Sequence, residues 1–397
     1  MSETGRDSMF SGIHHWPAQE RVIYGKPAVE ALTEEILRSA STRIFITTTR
    51  SITDGALVAR TVKSLGDRFV GKFDRISAHS PREAVLEGAQ ALQAARADLV
   101  VAVGGGSVID ATKVMLLALW RGARSVADLS SLAGTRGAAA NVASAWSEDP
   151  QPLRLIAIPT TLSAAEFFPS AGVTDVQRHV KQMYFHPLFV PKAVILDPAA
   201  TLETPMQLLL STGMRAVDHA VEGWCSVKSA PIADASNREA MRLLAQALPR
   251  MKAEAKDLEA RALAQHGMWL SRIATMAGIP YGASHGIGYL LGGGRGVPHG
   301  ITSCITLPAV MTWNQSSNAA RQGDVAAAFD GAGRSAGEVL RHFVTDLGLP
   351  TRLREVGIAQ ADLPAIAADW DGTGPIATNP RKVSGKKELL EILELAY

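Results

Sequence analysis

Cysteine is nearly absent: the 397-residue chain carries two, Cys225 and Cys304, too few for a disulfide framework and in keeping with a reducing compartment. Both lie among apolar neighbours and read as ordinary buried thiols. Long apolar runs are also missing. None approaches the ~18 uninterrupted residues of a membrane span, and the opening MSETGRDSMFSGIHHW has neither an apolar core nor a basic patch before one, so no export signal is read there and the cytoplasm is the expected location. Charge of one sign is lacking too, with 40 Lys and Arg against 38 Asp and Glu for a net +2. Nothing in that balance asks for nucleic acid or an anionic membrane. What is present, 47% hydrophobic and 20% charged residues, builds a sizeable core in two domains or one large one.

The first half alternates short apolar runs with helical spacing. RIFITTT (Arg43 to Thr49), DLVVAVGGGS (Asp98 to Ser107), LRLIAIPTT (Leu153 to Thr161) and KAVILDP (Lys192 to Pro198) read as strands, and Pro81 to Ala97 and Asp110 to Gly122 as helices. Such alternation predicts a parallel sheet covered on both faces, a nucleotide-binding architecture as often as any. The Ala-, Ser- and Gly-rich stretch between Ala127 and Pro152 reads as an excursion loop. After Asp197-Pro198 only long helical segments follow, which places the boundary near 198: an α/β domain over 1–198 and an all-helical domain over 199–397.

Four segments carry chemistry. In VVAVGGGSVIDATK a buried strand runs into three glycines and a helix start, so backbone N–H groups and the positive helix end can face a phosphate; a plain tight turn is the other reading. In IPTTLSAAEF, Thr160, Thr161 and Ser163 stand where parallel sheets bind ligands, or form a hydroxyl-rich turn. YGASHGIGYLLGGGRGVPHGITS gathers His285, Tyr289, Arg295 and His299 among glycines. In STGMRAVDHAVEGW, helical spacing puts Arg215, His219 and Glu222 on one face, a polar stripe in an apolar run. Together these rings and charges point to a site.

In this order, RVIYGKPAVEAL, GGGSVID, IAIPTT, PKAVILDP, STGMRAVDHAVEG, QHGMWL, LLGGGRGVPHG and NPRKVSGKKELLEILELAY resemble the iron-containing (group III) alcohol dehydrogenase family, its maleylacetate reductase branch in particular, from about Arg21 onward. The resemblance implies a dehydroquinate synthase-like fold, with a Rossmann-like α/β domain binding NADH or NADPH, a helical domain, a small-molecule substrate between them, and a homodimer. Gly104, Gly105, Gly106 and Ser107 match the pyrophosphate loop, which Asp110 closes. Thr160, Thr161 and Ser163 match a hydroxyl strip along the cofactor, and Lys181 matches a lysine near the nicotinamide ribose. Arg50 follows RIFITTT with no acidic residue to grip a ribose 2′-hydroxyl, which admits a 2′-phosphate.

Metal-using members bind iron or zinc through an aspartate and three histidines, the aspartate four residues before the first. Here that histidine is His219 and Arg215 holds the aspartate position; Tyr289 is read as holding the second histidine position, and His299 the last. Asp218 is a poor substitute on the helix. Two imidazoles beside a guanidinium predict no metal. The expected function is metal-independent NAD(P)H-dependent reduction of a keto-acid or related carbonyl, with aromatic-compound breakdown as the expected setting. Arg215 then polarises the carbonyl or clamps a carboxylate, Arg295 is a second anion-holding candidate, and the proton comes from His219, Tyr289, His285 or His299, the first two ranked ahead. The alternatives are a lyase, isomerase or hydrolase reaction in a rebuilt site, or a ligand-binding paralogue without turnover.

Overall fold

The apolar runs of the first half fold into one parallel sheet. Its strands are β1 (Arg21–Tyr24), β2 (Ile44–Thr47), β3 (Phe69–Phe73), β4 (Leu99–Gly104), β5 (Leu155–Pro159) and, after a separate antiparallel hairpin of β6 (Ser170–Asp175) and β7 (Val180–Phe185), β8 (Ala193–Leu196). The order across the sheet is β1-β8-β5-β4-β2-β3, every pairing parallel. The central strands are buried along their whole length, which is why they are unbroken β-branched and aliphatic runs. Helices α1 (Ala28–Ser39), α2 (Ala56–Leu65), α3 (Arg82–Ala94), α4 (Gly106–Arg121) and α5 (Val126–Ser131) accompany the sheet. The computed structural model describes residue 14 and residues 18–77, 80–134, 153–176 and 180–397. Most of the excursion expected over Ala127 to Pro152 therefore lies outside the described residues, and its first part is the end of α5.

From α6 (Met206–Cys225) onward the described chain is helical: α7 (Pro231–Ala253), α8 (Leu258–Leu270), α9 (Ile273–Met276), α10 (Ala283–Arg295), α11 (His299–Ala328), α12 (Ala336–Asp346), α13 (Leu363–Ala368) and α14 (Lys386–Ala396). None of the described helices is long and apolar enough to cross a membrane. One apolar cluster runs from Phe45, Ile109 and Met115 through Met214 and Val217 to Ile305 and Leu389, so the two halves share a core. Both cysteines are free and buried, and burial pushes the Cys225 thiol up to about 12, leaving it unreactive.

At the centre of the sheet the chain passes from β3 on one side to β4 on the other, a reversal that leaves a crevice beyond the carboxyl ends of the strands. Gly104 at the end of β4 pairs with Pro159 at the end of β5. The glycine loop and the Thr160–Thr161 segment therefore leave the sheet side by side.

Candidate active site

The glycine loop is shorter than its sequence implied, because α4 already begins at Gly106 and takes Ser107 into its first turn. No side chain caps that helix, so its first amides are free to meet an anion. The glycines are required by packing. A Cβ on Gly105 would stand 2.9 Å from Thr161 Cγ2, and one on Gly106 would stand 2.7 Å from Ser163 Oγ. The Thr160 amide donates to the Gly104 carbonyl at 3.0 Å, and the Leu162 amide donates to Thr212 Oγ1 on α6 at 3.1 Å. Backbone, hydroxyl strip and the helix bearing Arg215 are thus tied together. Asp110 accepts the Gly172 amide at 3.1 Å and so anchors β6.

Lys181 lies across β6 over Gly172, where any side chain would collide with its Cε. Its Nζ is 3.3 Å from His299 Nε2. Burial, with Arg215 adding to it, lowers the lysine's pKa, while Asp110 opposes the shift. His299 meets Tyr289 edge to face, with centroids 6.1 Å apart, and Tyr289 also faces the Arg215 guanidinium at 5.9 Å. Lys181, His299, Tyr289 and Arg215 therefore form one side of the site.

Arg215 is held from behind. Its Nη1 donates to Ser303 Oγ at 3.0 Å and reaches Asp218 Oδ2 at 3.4 Å. Asp218 Oδ2 in turn accepts from Ser303 at 2.6 Å and from Ser284 at 3.0 Å. Asp218 therefore points into this buried network, which the helical-face argument did not foresee.

The other side of the site differs from expectation at one residue. His285, and not Tyr289, stands beside His219, with ring centroids 5.0 Å apart, so both His219 and His285 are present there. The sequence reading assigns the second histidine position to Tyr289, one turn along α10 from His285, and the packing of α10 on α6 and α11 puts His285 there instead. His285 Nδ1 bonds Glu222 Oε2 at 2.7 Å, and Nε2 is buried without a hydrogen-bond partner among the described residues. Glu222 also accepts the amides of Gly282, Ser284 and His285. Burial raises the Glu222 carboxyl, with Asp218 adding to the effect, and burial together with Arg215 holds His285 neutral.

Two residues that the sequence did not single out complete this side. Arg272 Nη1 lies 3.2 Å from His219 Nε2 and donates to the Tyr281 hydroxyl at 2.6 Å. Tyr281 stacks on His285 at 3.8 Å and 8°. A guanidinium only donates, so His219 Nε2 is the acceptor and the ring proton sits on Nδ1. Burial and both arginines keep His219 neutral. Arg295 ends α10 away from these groups, paired with Asp369 at 3.2 Å, as a surface residue. Arg272 was hidden because LEARALAQHGMWLSRIATMAG reads as a plain core helix. In fact the helix breaks at Ser271 between α8 and α9, and the break turns the arginine inward.

A glycine loop and hydroxyl strip at the crevice of a parallel sheet, facing buried imidazoles and guanidinium groups on helices, define a two-part oxidoreductase. Residues 19–198 match the family described as iron-containing alcohol dehydrogenase, and residues 209–397 match the Fe-containing alcohol dehydrogenase family, C-terminal. Dehydrogenase FUM7 of Gibberella moniliformis is 30% identical over 94% of this chain and 95% of its own length. Maleylacetate reductase 2 of Cupriavidus pinatubonensis is 31% identical over 85% of this chain and 84% of its own. The crystal structure of maleylacetate reductase from Rhizobium sp. strain MTP-10005 aligns with a TM-score of 0.80 at 26% identity, covering 98% of this chain and 99% of that one. The chain belongs to the iron-containing alcohol dehydrogenase family, on its maleylacetate reductase-like branch.

Proposed function

We propose that this protein is a metal-independent reductase that uses NADH or NADPH to reduce the carbonyl of a small keto-acid, within aromatic-compound breakdown. The observation that carries the reading is Arg215, a guanidinium fixed by Asp218 and Ser303 where metal-using relatives are expected to have a ligand. The donor set fits a divalent ion poorly. Asp218, Glu222 and His285 do lie close enough together to be considered as ligands. Yet Glu222 already accepts three amides and is hydrogen-bonded to His285 Nδ1, Asp218 Oδ2 accepts two hydroxyls and faces Arg215, and His219 Nε2 is taken by Arg272. A cation there would also face two guanidinium groups.

The glycine cradle suits a dinucleotide: with no side chains at Gly105 and Gly106, Thr161 and Ser163 pack directly against the loop beside the uncapped helix amides. A bound nicotinamide would supply hydride. Arg215 then stabilises the negative charge that develops on the carbonyl oxygen, doing electrostatically what a metal does elsewhere. His285 holds a proton at Nε2 when Glu222 presents its own proton to Nδ1. Passing the Nε2 proton to the alkoxide while Nδ1 takes that of Glu222 leaves the imidazole neutral throughout, as its burial requires.

The test is a titration of NADH and of NADPH into chelator-treated protein, followed by nicotinamide fluorescence, with a keto-acid screen on the same sample. Micromolar binding of either cofactor, with turnover unchanged by the chelator, is expected. Turnover that appears only on adding iron or zinc would refute metal independence. Failure of both cofactors to bind would refute the reductase reading.

A further inference from the structure

We propose that Arg272, with Tyr281 and His219, forms a pocket for a carboxylate of the substrate. The inference rests on the reading that this cleft is the reactive site and adds the substrate's second handle. Arg272 is 7% exposed. Its guanidinium carbon lies 4.5 Å from the Phe168 ring centroid and 5.8 Å from that of Tyr281, so two aromatic rings flank it and limit its movement. Among the described residues only Nη1 is engaged, by the Tyr281 hydroxyl and His219 Nε2. The buried Nε has no hydrogen-bond partner among them, and none of them accepts from Nη2.

The free donors are the two that matter. In a guanidinium, Nε–H and one N–H of Nη2 point in parallel from one edge, the edge that grips a carboxylate with two hydrogen bonds. Nη1, on the other side, is the nitrogen spent on fixing the group.

Among the described residues, each other buried arginine meets a carboxylate or has its donors taken by oxygen acceptors. Arg82 pairs with Asp175 at 2.8 Å, Arg215 faces Asp218 at 3.4 Å, and Arg261 is closed by the Ala255 carbonyl and Thr201. No carboxylate among the described residues stands within 4 Å of Arg272. Glu166 and Lys113 are close enough for their charges to be felt, but the Glu166 carboxyl makes no hydrogen bond to the described residues and burial raises it to about 7, so it is a weak counter-charge. A buried cation without a partner is costly to keep. A carboxylate arriving with the substrate supplies the missing charge and both acceptors.

The test uses the full-length protein without dinucleotide, so its result is independent of the redox reading. Malonate, succinate and glutarate, and their dimethyl esters, are titrated by calorimetry into wild type, Arg272→Met and Arg272→Lys. At least one diacid is expected to bind wild type while its ester does not. Binding should weaken at least tenfold in Arg272→Met and recover in part in Arg272→Lys. The NADH and NADPH affinities of Arg272→Met should stay within about twofold of wild type. Undiminished diacid binding by Arg272→Met, or no diacid binding by wild type, overturns the proposal. So does a selective loss of dinucleotide affinity, which would give the guanidinium to the cofactor. If Arg272→Met does not fold, Tyr281→Phe, which removes one acceptor fixing Nη1, should weaken the diacid by a smaller factor and leave the dinucleotide unchanged; undiminished diacid binding there overturns it equally.

Discussion

Arg215 and Glu222 sit two turns apart on α6 and act on opposite sides of the site, one as a fixed positive charge and the other behind an imidazole. Replacing Arg215 by Met removes the charge that faces the developing oxyanion. A loss of ~10²-fold or more in kcat is expected, with partial recovery in Arg215→Lys and little change in dinucleotide affinity. Glu222→Gln keeps the size of the side chain but can no longer pass a proton to His285 Nδ1. In wild type the rate should fall as pH rises through the raised Glu222 pKa, because the protonated carboxyl is the active form. In Glu222→Gln that alkaline limb should vanish along with ~10²-fold of kcat. A pH–rate profile under saturating cofactor checks both. An unchanged limb in the variant would assign the proton to His219, Tyr289 or His299 instead.

At the scale of elements, the cofactor cradle depends on two segments that interlock without room to spare. Gly106→Val would drive a branched side chain into Ser163 Oγ, 2.7 Å from the first added carbon. The hydroxyl strip and the start of α4 must then part, and a fall of at least tenfold in NADH or NADPH affinity is expected by fluorescence titration, whereas Gly294→Ala, in open space, should be silent. What was legible from sequence follows the same physical division. β2, β4, β5 and β8 could be read because doubly buried strands need continuous apolar runs. β1 is only four residues long and partly exposed, and β3 is mostly half-exposed with a glycine in the middle, so neither shows a buried run or clean alternation. Within the site, the residues brought in by a single helix face, Arg215, His219 and Glu222, were legible from spacing. The placing of His285 rather than Tyr289 beside His219, and the entry of Arg272, depend on how α6, α9, α10 and α11 pack together, and no local pattern encodes that.

Across the whole molecule, the link between the sheet domain and the cleft runs through Lys113, which together with the buried Glu166 also sets how stability responds to pH. Lys113 on α4 is fully buried, and its ammonium donates to the carbonyls of Ala165, Phe168 and Ser170 at 2.6, 2.8 and 3.0 Å. It thus fixes the segment that carries Phe168 against Arg272. Burial lowers Lys113 to about 8 and raises Glu166 to about 7. For Glu166 the folded state binds the extra proton between its ordinary value near 4.5 and about 7, so this contribution is complete in acid and is lost as pH rises through 7. For Lys113 the folded state binds fewer protons between about 8 and 10.5, so stability rises with pH across that window. Each shift corresponds to about 3 kcal/mol at most, and the two together place a minimum between about 7 and 8. Urea unfolding at pH 5, 7.5 and 10 should show that minimum against the slower drift of the surface groups. Glu166→Gln should flatten the acid side alone, since its amide does not titrate, and Lys113→Met the alkaline side alone. The general loss of stability from leaving three carbonyls without a donor is the same at every pH and does not alter the slope. A wild-type-minus-variant difference that stays constant with pH for both substitutions would mean that neither buried group changes protonation on folding.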